Sequence, residues 1–161
     1  MDLALGLRPS VSSDRPFLLS VFASTREAEL ALLPLSGEQK ALFAQTQFDA
    51  QMRHYQLHFG QADSSIILLD GAPIGRLIVD RRPEVLHLLD IALLPQFRRN
   101  GIGTELLRQL AAEAEATGTP IRLEVMPNNA ARDLYERLGY SVTRQMGAYV
   151  EMERRCAISK H

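Results

Sequence analysis

The chain has 161 residues, 46% of them hydrophobic and 23% charged, and its 18 basic side chains nearly balance 19 acidic ones for a net charge of −1. That composition suits one globular domain over residues 1–161 with a sizeable apolar core, and gives no reason to expect nucleic acid or an anionic membrane as a partner. No run approaches the roughly 18 apolar residues of a membrane span, the first residues lack a basic leader, and Cys156 has no second cysteine to pair with. The expectation is a cytoplasmic protein whose lone thiol is incidental rather than catalytic.

In chain order, Leu3 to Arg8 predicts a first strand, and Ser12 or Ser13 caps a helix carrying Phe17, Leu18, Val21 and Phe22. Leu33-Pro34-Leu35-Ser36-Gly37 breaks it. A longer helix runs from about Glu38 to His58, with Leu42, Phe43, Phe48, Met52 and Tyr55 as packing positions. Ile66 to Leu69, a turn at Asp70-Gly71 and Ile74 to Asp80 predict a hairpin. Glu84 to Leu94 then forms a strand that is nearly continuous in apolar residues, as expected where both faces are covered, with His87 and Asp90 as polar exceptions.

A basic turn, Arg98-Arg99-Asn100-Gly101-Ile102-Gly103, separates that strand from a helix with Ile102, Leu106, Leu110 and Ala114 on one stripe and Leu107 and Ala111 beside it. Glu105, Arg108, Glu113 and Glu115 point to solvent, and Gly118 stops the helix. Ile121 to Val125 is a strand, Asn128 or Asn129 caps a short helix ending at Gly139, and Tyr140 to Met152 returns as strands around Gly147.

The basic turn carries the functional signal. Two close glycines let the main chain approach an anion, the N–H groups at a helix start point outward at the positive end of the dipole, and paired arginines add charge and forked donors. Other anion-binding patterns fit less well. A dinucleotide fingerprint with Glu124 as its ribose acid would need glycine where Leu106 stands, and no Gly-Lys-Ser/Thr follows for a Walker loop.

Arg98-x-x-Gly101-x-Gly103 with Leu106-Leu107, followed by Asn128-x-x-Ala131-x-x-Leu134-Tyr135-Glu136-x-x-Gly139-Tyr140, resembles the two signature motifs of the GCN5-related N-acetyltransferase (GNAT) superfamily in spacing and order. The resemblance is good over about residues 84 to 155. It implies an α/β fold with a mixed, mostly antiparallel twisted sheet of six to seven strands, flanked by about four helices, whose fourth and fifth strands splay apart around acetyl-coenzyme A. It also implies an N-acetyltransferase that moves the acetyl group directly to a primary amine in a ternary complex, without a metal.

On that resemblance, Arg99, Asn100, Gly101, Ile102, Gly103 and Thr104 offer donors to the pyrophosphate, Arg98 closes the turn, and Ile91, Ala92 and Leu93 pair with the pantetheine amides like an added strand. The N–H near Leu93 polarises the thioester carbonyl. Tyr135 supplies the acid for the departing thiolate and contacts the cofactor, while Asn128 both caps its helix and reaches the cofactor. The base is His87, whose ordinary pKa of about 6.5 suits neutral pH, with Glu124 or a water chain as alternatives. Glu124 matches the acceptor used by the ribosomal-protein N-terminal branch, although this chain has one residue fewer before Asn128.

Gly139 reads as a helix stop and Tyr140 as a packing residue. His54 and His58 form an i, i+4 pair without an evident third metal ligand and, with Tyr55, are candidates to line the acceptor pocket. A peptide amino terminus, lysine, antibiotic, polyamine or metabolite amine all remain open as acceptor, and another acyl-coenzyme A as donor. Pairing of two copies through the closing strands is a family-based expectation. The alternative function is a catalytically silent coenzyme A-binding regulatory or interaction module on the same fold.

Overall fold

The computed structural model describes residues 4–127 and 129–156. In chain order they form β1 (Leu5–Pro9), α1 (Arg15–Thr25), α2 (Glu27–Ala31), α3 (Gly37–His58), β2 (Asp63–Leu69), β3 (Ala72–Arg81), β4 (Leu86–Leu93), α4 (Ile102–Thr117), β5 (Ile121–Val125), α5 (Ala131–Arg137), β6 (Tyr140–Met146) and β7 (Tyr149–Arg154). The strands make one seven-stranded, mostly antiparallel sheet in the order β1-β2-β3-β4-β5-β7-β6, an α/β architecture of the expected kind. Its parallel pair is β4 with β5, registered at Leu86–Ile121 and His87–Arg122. Among the described residues that ladder stops there, although β4 runs on to Leu93 and β5 to Val125.

The chain divides into two compact units, Met1–Ile78 with Asp90–Arg98, and Val79–Leu89 with Arg99–His161. In the first, Leu18, Phe22, Phe48 and Ile66 form a buried cluster, with the Phe22 and Phe48 rings edge to face at 5.7 Å. The hairpin turn falls where expected: Asp70 and Gly71 both have positive φ, 51° and 83°, as a two-residue turn matched to strand twist requires. Ser36 opens α3 with a reciprocal cap, its Oγ accepting from the Gln39 N–H at 3.1 Å while its own N–H donates to Gln39 Oε1 at 2.8 Å.

Three sequence expectations need correction here. Neither Ser12 nor Ser13 caps α1; both lie in a 3-10 turn, and Asp14 stands at the N-cap position with no side-chain hydrogen bond to the helix, its carboxylate turned back to the residues before it. Its longer side chain accepts from the Val11 N–H at 2.8 Å and receives two bonds from the Arg8 guanidinium at 2.8 and 2.9 Å. Leu42 and Phe43 are not packing positions: they are 65% and 41% exposed, because α3 faces inward along Ala44 and Phe48, one turn apart, with Met52 packed against that cluster a turn further on. A separate short helix, α2, also follows α1, the chain having turned at Arg26 with φ −106° and ψ 0°.

In the second unit, α4 buries Ile102, Leu106, Leu107, Leu110 and Ala114, the stripe its sequence predicts, and each leucine so covered contributes about 1.5–3 kcal/mol. Gly118, at φ 69°, ends it. Glu113 and Glu115, expected in solvent, are half-buried and answer arginines: Glu113 meets Arg81 at 2.6 Å and Glu115 meets Arg154 at 3.1 Å. β7 pairs antiparallel with both β5 and β6, and a bulge interrupts β6 between Val142 and Arg144. The Cys156 thiol donates to the carbonyl oxygens of Thr119 and Ala114, at 3.0 and 3.5 Å. No helix among the described residues is long and apolar enough to cross a membrane.

Candidate active site

In the first unit the end of β4 is held from two sides. Gly75 of β3 approaches so closely that a Cβ on it would run into the Ala92 carbonyl oxygen and lie 2.9 Å from Leu93 Cδ2. Just beyond β4, the Leu94 N–H donates to the Ile74 carbonyl at 2.9 Å. Arg98 folds back on the strand, its Nε donating to the Leu93 carbonyl at 2.9 Å and its Nη2 to Ser24 Oγ at 3.1 Å. Ile91, Ala92, Leu93 and Arg98 are thus a braced segment. Behind it Arg76, 2% exposed, pairs with Asp90 at 3.2 Å and donates to Gln51 at 3.0 Å. Burial pushes the Asp90 carboxyl above the usual carboxylate range, against the pull of Arg76 and Arg26.

In the second unit the turn into α4 is built from left-handed residues. Arg99 has φ 64° and Gly101 φ 79°, and the first helical bond runs from the Glu105 N–H to the Gly101 carbonyl at 3.0 Å. The N–H groups of the first helical turn, Ile102, Gly103 and Thr104 among them, precede any intrahelical acceptor, and no side chain caps them. A Cβ at Gly101 or at Gly103 would meet no protein atom within 4 Å. A row of outward N–H groups with bare glycines between them has the form of an anion seat, and a diphosphate fits its chemistry.

Downstream, the Asn129 side chain accepts from the Ala131 N–H at 2.8 Å and so opens α5. Asn128, predicted both to cap this helix and to reach the cofactor, lies outside the described residues. Tyr135 is buried, 8% exposed, and its ring stands 5.5 Å from that of Tyr140, itself 3% exposed. The Tyr140 hydroxyl finds no hydrogen-bond partner among the described residues.

The two candidate bases lie on the other side of the sheet. Register and alternation put Tyr140 on the face of Ile121, Leu123 and Val125, and His87, Arg122, Glu124 and Glu153 on the opposite one. His87 is half-buried there; burial first, then the positive Arg122, lowers its pKa, against Asp80 and Glu124. The imidazole is therefore neutral at neutral pH and able to accept a proton. Glu124 is exposed, and its β7 neighbour Glu151 is 3.8 Å from the Arg122 guanidinium.

His54 and His58 stand exposed near the end of α3 with rings 4.7 Å apart, and no group of three potential metal ligands gathers among the described residues. Sequence reasoning missed Gly75 and the inward turn of Arg98. An isolated glycine inside a strand pattern was the available signal for the first. Nothing local marked Ser24 as the partner of an arginine 74 residues later.

A family model described as the acetyltransferase (GNAT) family matches residues 28–140. Among solved structures, a paia N-acetyltransferase from Thermoplasma acidophilum in complex with coenzyme A superposes with a TM-score of 0.70 at 18% identity, over 94% of this chain and 99% of that one. An acetyltransferase from Thermus thermophilus gives 0.67 at 20% identity, over 95% and 97%. The ribosomal-protein-S18-alanine N-acetyltransferase from Escherichia coli gives 0.63 at 20% identity, over 98% and 97%.

Proposed function

Because this chain belongs to the GNAT acetyltransferase family, an acyltransferase lineage with acetyl-coenzyme A as donor, we propose that it is a single-domain enzyme that acetylates a primary amine directly. The observation that carries this reading is the turn from Arg99 to Thr104, where left-handed Arg99 and Gly101 leave a row of main-chain donors uncovered at the start of α4. Those donors hold the pyrophosphate, and Asn128 adds its amide to the same cofactor. Ile91, Ala92 and Leu93 pair with the pantetheine arm, the Leu93 N–H turns toward the thioester carbonyl, and Arg98 keeps that strand end fixed through the Leu93 carbonyl.

The chemistry needs a neutral amine, a polarised carbonyl and a proton for the leaving sulfur. His87 removes the proton from the acceptor ammonium, directly or through water, and its lowered pKa supports that part. Glu124, exposed on the same face, is the second candidate. The amine nitrogen attacks the thioester carbon, the oxyanion is held by main-chain N–H, the carbon–sulfur bond breaks, and Tyr135 protonates the thiolate.

The acceptor is an amine-bearing small molecule or peptide, with His54, His58 and Tyr55 as candidates to line its pocket. We place the enzyme in the cytoplasm, with two copies able to pair through the closing strands. Coenzyme A release from acetyl-coenzyme A, followed against a panel of peptide, lysine, polyamine, aminoglycoside and small metabolite amines, tests the function. Release with at least one amine class is expected. Calorimetric binding of coenzyme A with no release from any class would overturn catalysis, and absence of binding would overturn the anion seat as well.

A further inference from the structure

Gly75 and Arg76 grip the end of β4 from opposite faces of the sheet. Successive residues of a strand point to opposite sides, so while the bare Gly75 closes on the Ala92 carbonyl and Leu93, the Arg76 side chain lies on the other face, its guanidinium 5.9 Å from the ring centres of both Phe48 and Tyr55 of α3. There it joins three elements. Its Nη2 donates to Gln51 Oε1 of α3 at 3.0 Å, and its Nε stands 3.2 Å from Oδ2 of Asp90, the residue before Ile91. Stability does not account for this pair: a buried ion pair gives up much of its Coulombic gain in lost hydration, and apolar residues of like volume serve as well or better. Arg76 Nε also makes no hydrogen bond among the described residues, despite its closeness to Asp90. What the guanidinium does that an apolar side chain could not is join α3 to β4 at fixed points.

We propose that Arg76 and Asp90 are positioning residues for the thioester: tied to Gln51, they hold the end of β4 so that the Leu93 N–H meets the acyl carbonyl. This rests on the reading of the Leu93 N–H as that carbonyl's donor. Gln51 fixes Arg76, and Arg76 fixes Asp90. The three residues that follow Asp90 are then stopped by Gly75 on one side and by Arg98 on the Leu93 carbonyl, which leaves the strand end little freedom to tilt. Arg76 and Asp90 act through the main chain alone. A donor displaced by as little as about 1 Å loses much of its effect on the barrier, so the tie sets the rate of transfer without adding to binding.

The test is the infrared band of the thioester carbonyl in isotope-labelled acetyl-coenzyme A, bound to the wild-type protein, to the double variant Arg76→Met with Asp90→Leu, and to Gln51→Met. Melting temperature, coenzyme A affinity and, with whichever amine supports thiol release, the single-turnover rate are read beside it. A hydrogen bond from the Leu93 N–H lowers the carbonyl frequency in the wild type. The double variant should melt at the same or a higher temperature and keep most of its coenzyme A affinity, while its band returns toward that of free acetyl-coenzyme A and transfer slows by about tenfold to a hundredfold. Gln51→Met leaves the ion pair in place and should show the same changes in part. A merely structural pair would move the melting temperature and leave the band where it is. A wild-type band position in the double variant, or in Gln51→Met should the double variant not fold, overturns the positioning role while the Leu93 reading stands. If the wild-type band already sits at the free position, the Leu93 reading falls and this proposal with it.

Discussion

Gly75 of β3 and Ala92 of β4 approach so closely that a single methyl group on Gly75 would collide with the Ala92 carbonyl oxygen. The obstacle is main chain rather than the end of a flexible side chain, so the strand itself must move to admit a larger residue. Gly75→Ala is expected to cost about 1–3 kcal/mol and to lower the melting temperature by several degrees. Coenzyme A affinity should fall with it, because the displaced residues are those proposed to hold pantetheine. Thermal melting and calorimetry check both, and an unchanged melting point would refute the close approach.

The two glycines at the start of α4 separate conformation from ligand space. Gly101, at φ 79°, sits where a β-branched residue is strained, so Gly101→Val should lose about 1–3 kcal/mol of stability as well as coenzyme A binding. The sequence alone suggests only a Cβ intruding on the pyrophosphate. Gly103 lies inside the helix with open space around it, so Gly103→Ala should melt at the same or a higher temperature, alanine being the better helix former by about 1 kcal/mol. Its coenzyme A affinity should nevertheless drop about tenfold or more if the bare Cα faces the pyrophosphate.

Removing the Tyr135 hydroxyl should reduce turnover by about 10²- to 10³-fold with little change in coenzyme A affinity, since the group is proposed to act on the leaving sulfur and not on the anion seat. Steady-state kinetics with calorimetry distinguishes the two, and a wild-type turnover in Tyr135→Phe would end its role as the acid.

His87 titrates below the ordinary histidine value because burial and Arg122 both disfavour its charged form. With His87 as the proposed base, activity is expected to rise as pH climbs through a midpoint below the ordinary histidine value of about 6.5. His87→Ala should abolish that rising limb in kcat/KM. Its survival would move the assignment to Glu124 or to a water chain.

Asp14 gives a pH effect on folding. The Arg8 guanidinium, then the Val11 N–H, holds its carboxyl down to about 2 from an ordinary 3.8. A group depressed in the folded state favours that state above its unfolded pKa and loses the contribution as pH falls through the folded value. Wild type should thus melt above Asp14→Asn at pH 6, with the gap closing between about pH 4 and pH 2. A gap independent of pH would show that the ion pair is not its source.

The half of the fold from β4 onward was legible because its signals are local. The α4 stripe from Ile102 to Ala114 repeats at helical spacing, and Gly118 and Gly139 stand at left-handed stops. In α3 the apolar residues are spread around the helix, so Leu42 and Phe43 competed with Ala44 and Phe48 for the inner face, and only the neighbouring α1 decides between them. The candidate site divides in the same way. The basic turn into α4 can be read from six consecutive residues, whereas the Gly75–Ala92 approach, marked locally only by an isolated glycine within a strand pattern, and the Arg98–Ser24 bond, which nothing local marks, join distant parts of the chain.

The Cys156 thiol, hydrogen-bonded to the Thr119 and Ala114 carbonyls, is also the chain's one sulfhydryl. Alkylation by a maleimide, or exchange with an aromatic disulfide, can occur at a single position, and is slowed while those hydrogen bonds hold the half-buried thiol against the end of α4. The wild-type protein thus carries its own chemical gauge of fraying at that corner, usable with or without coenzyme A and free of any introduced label site.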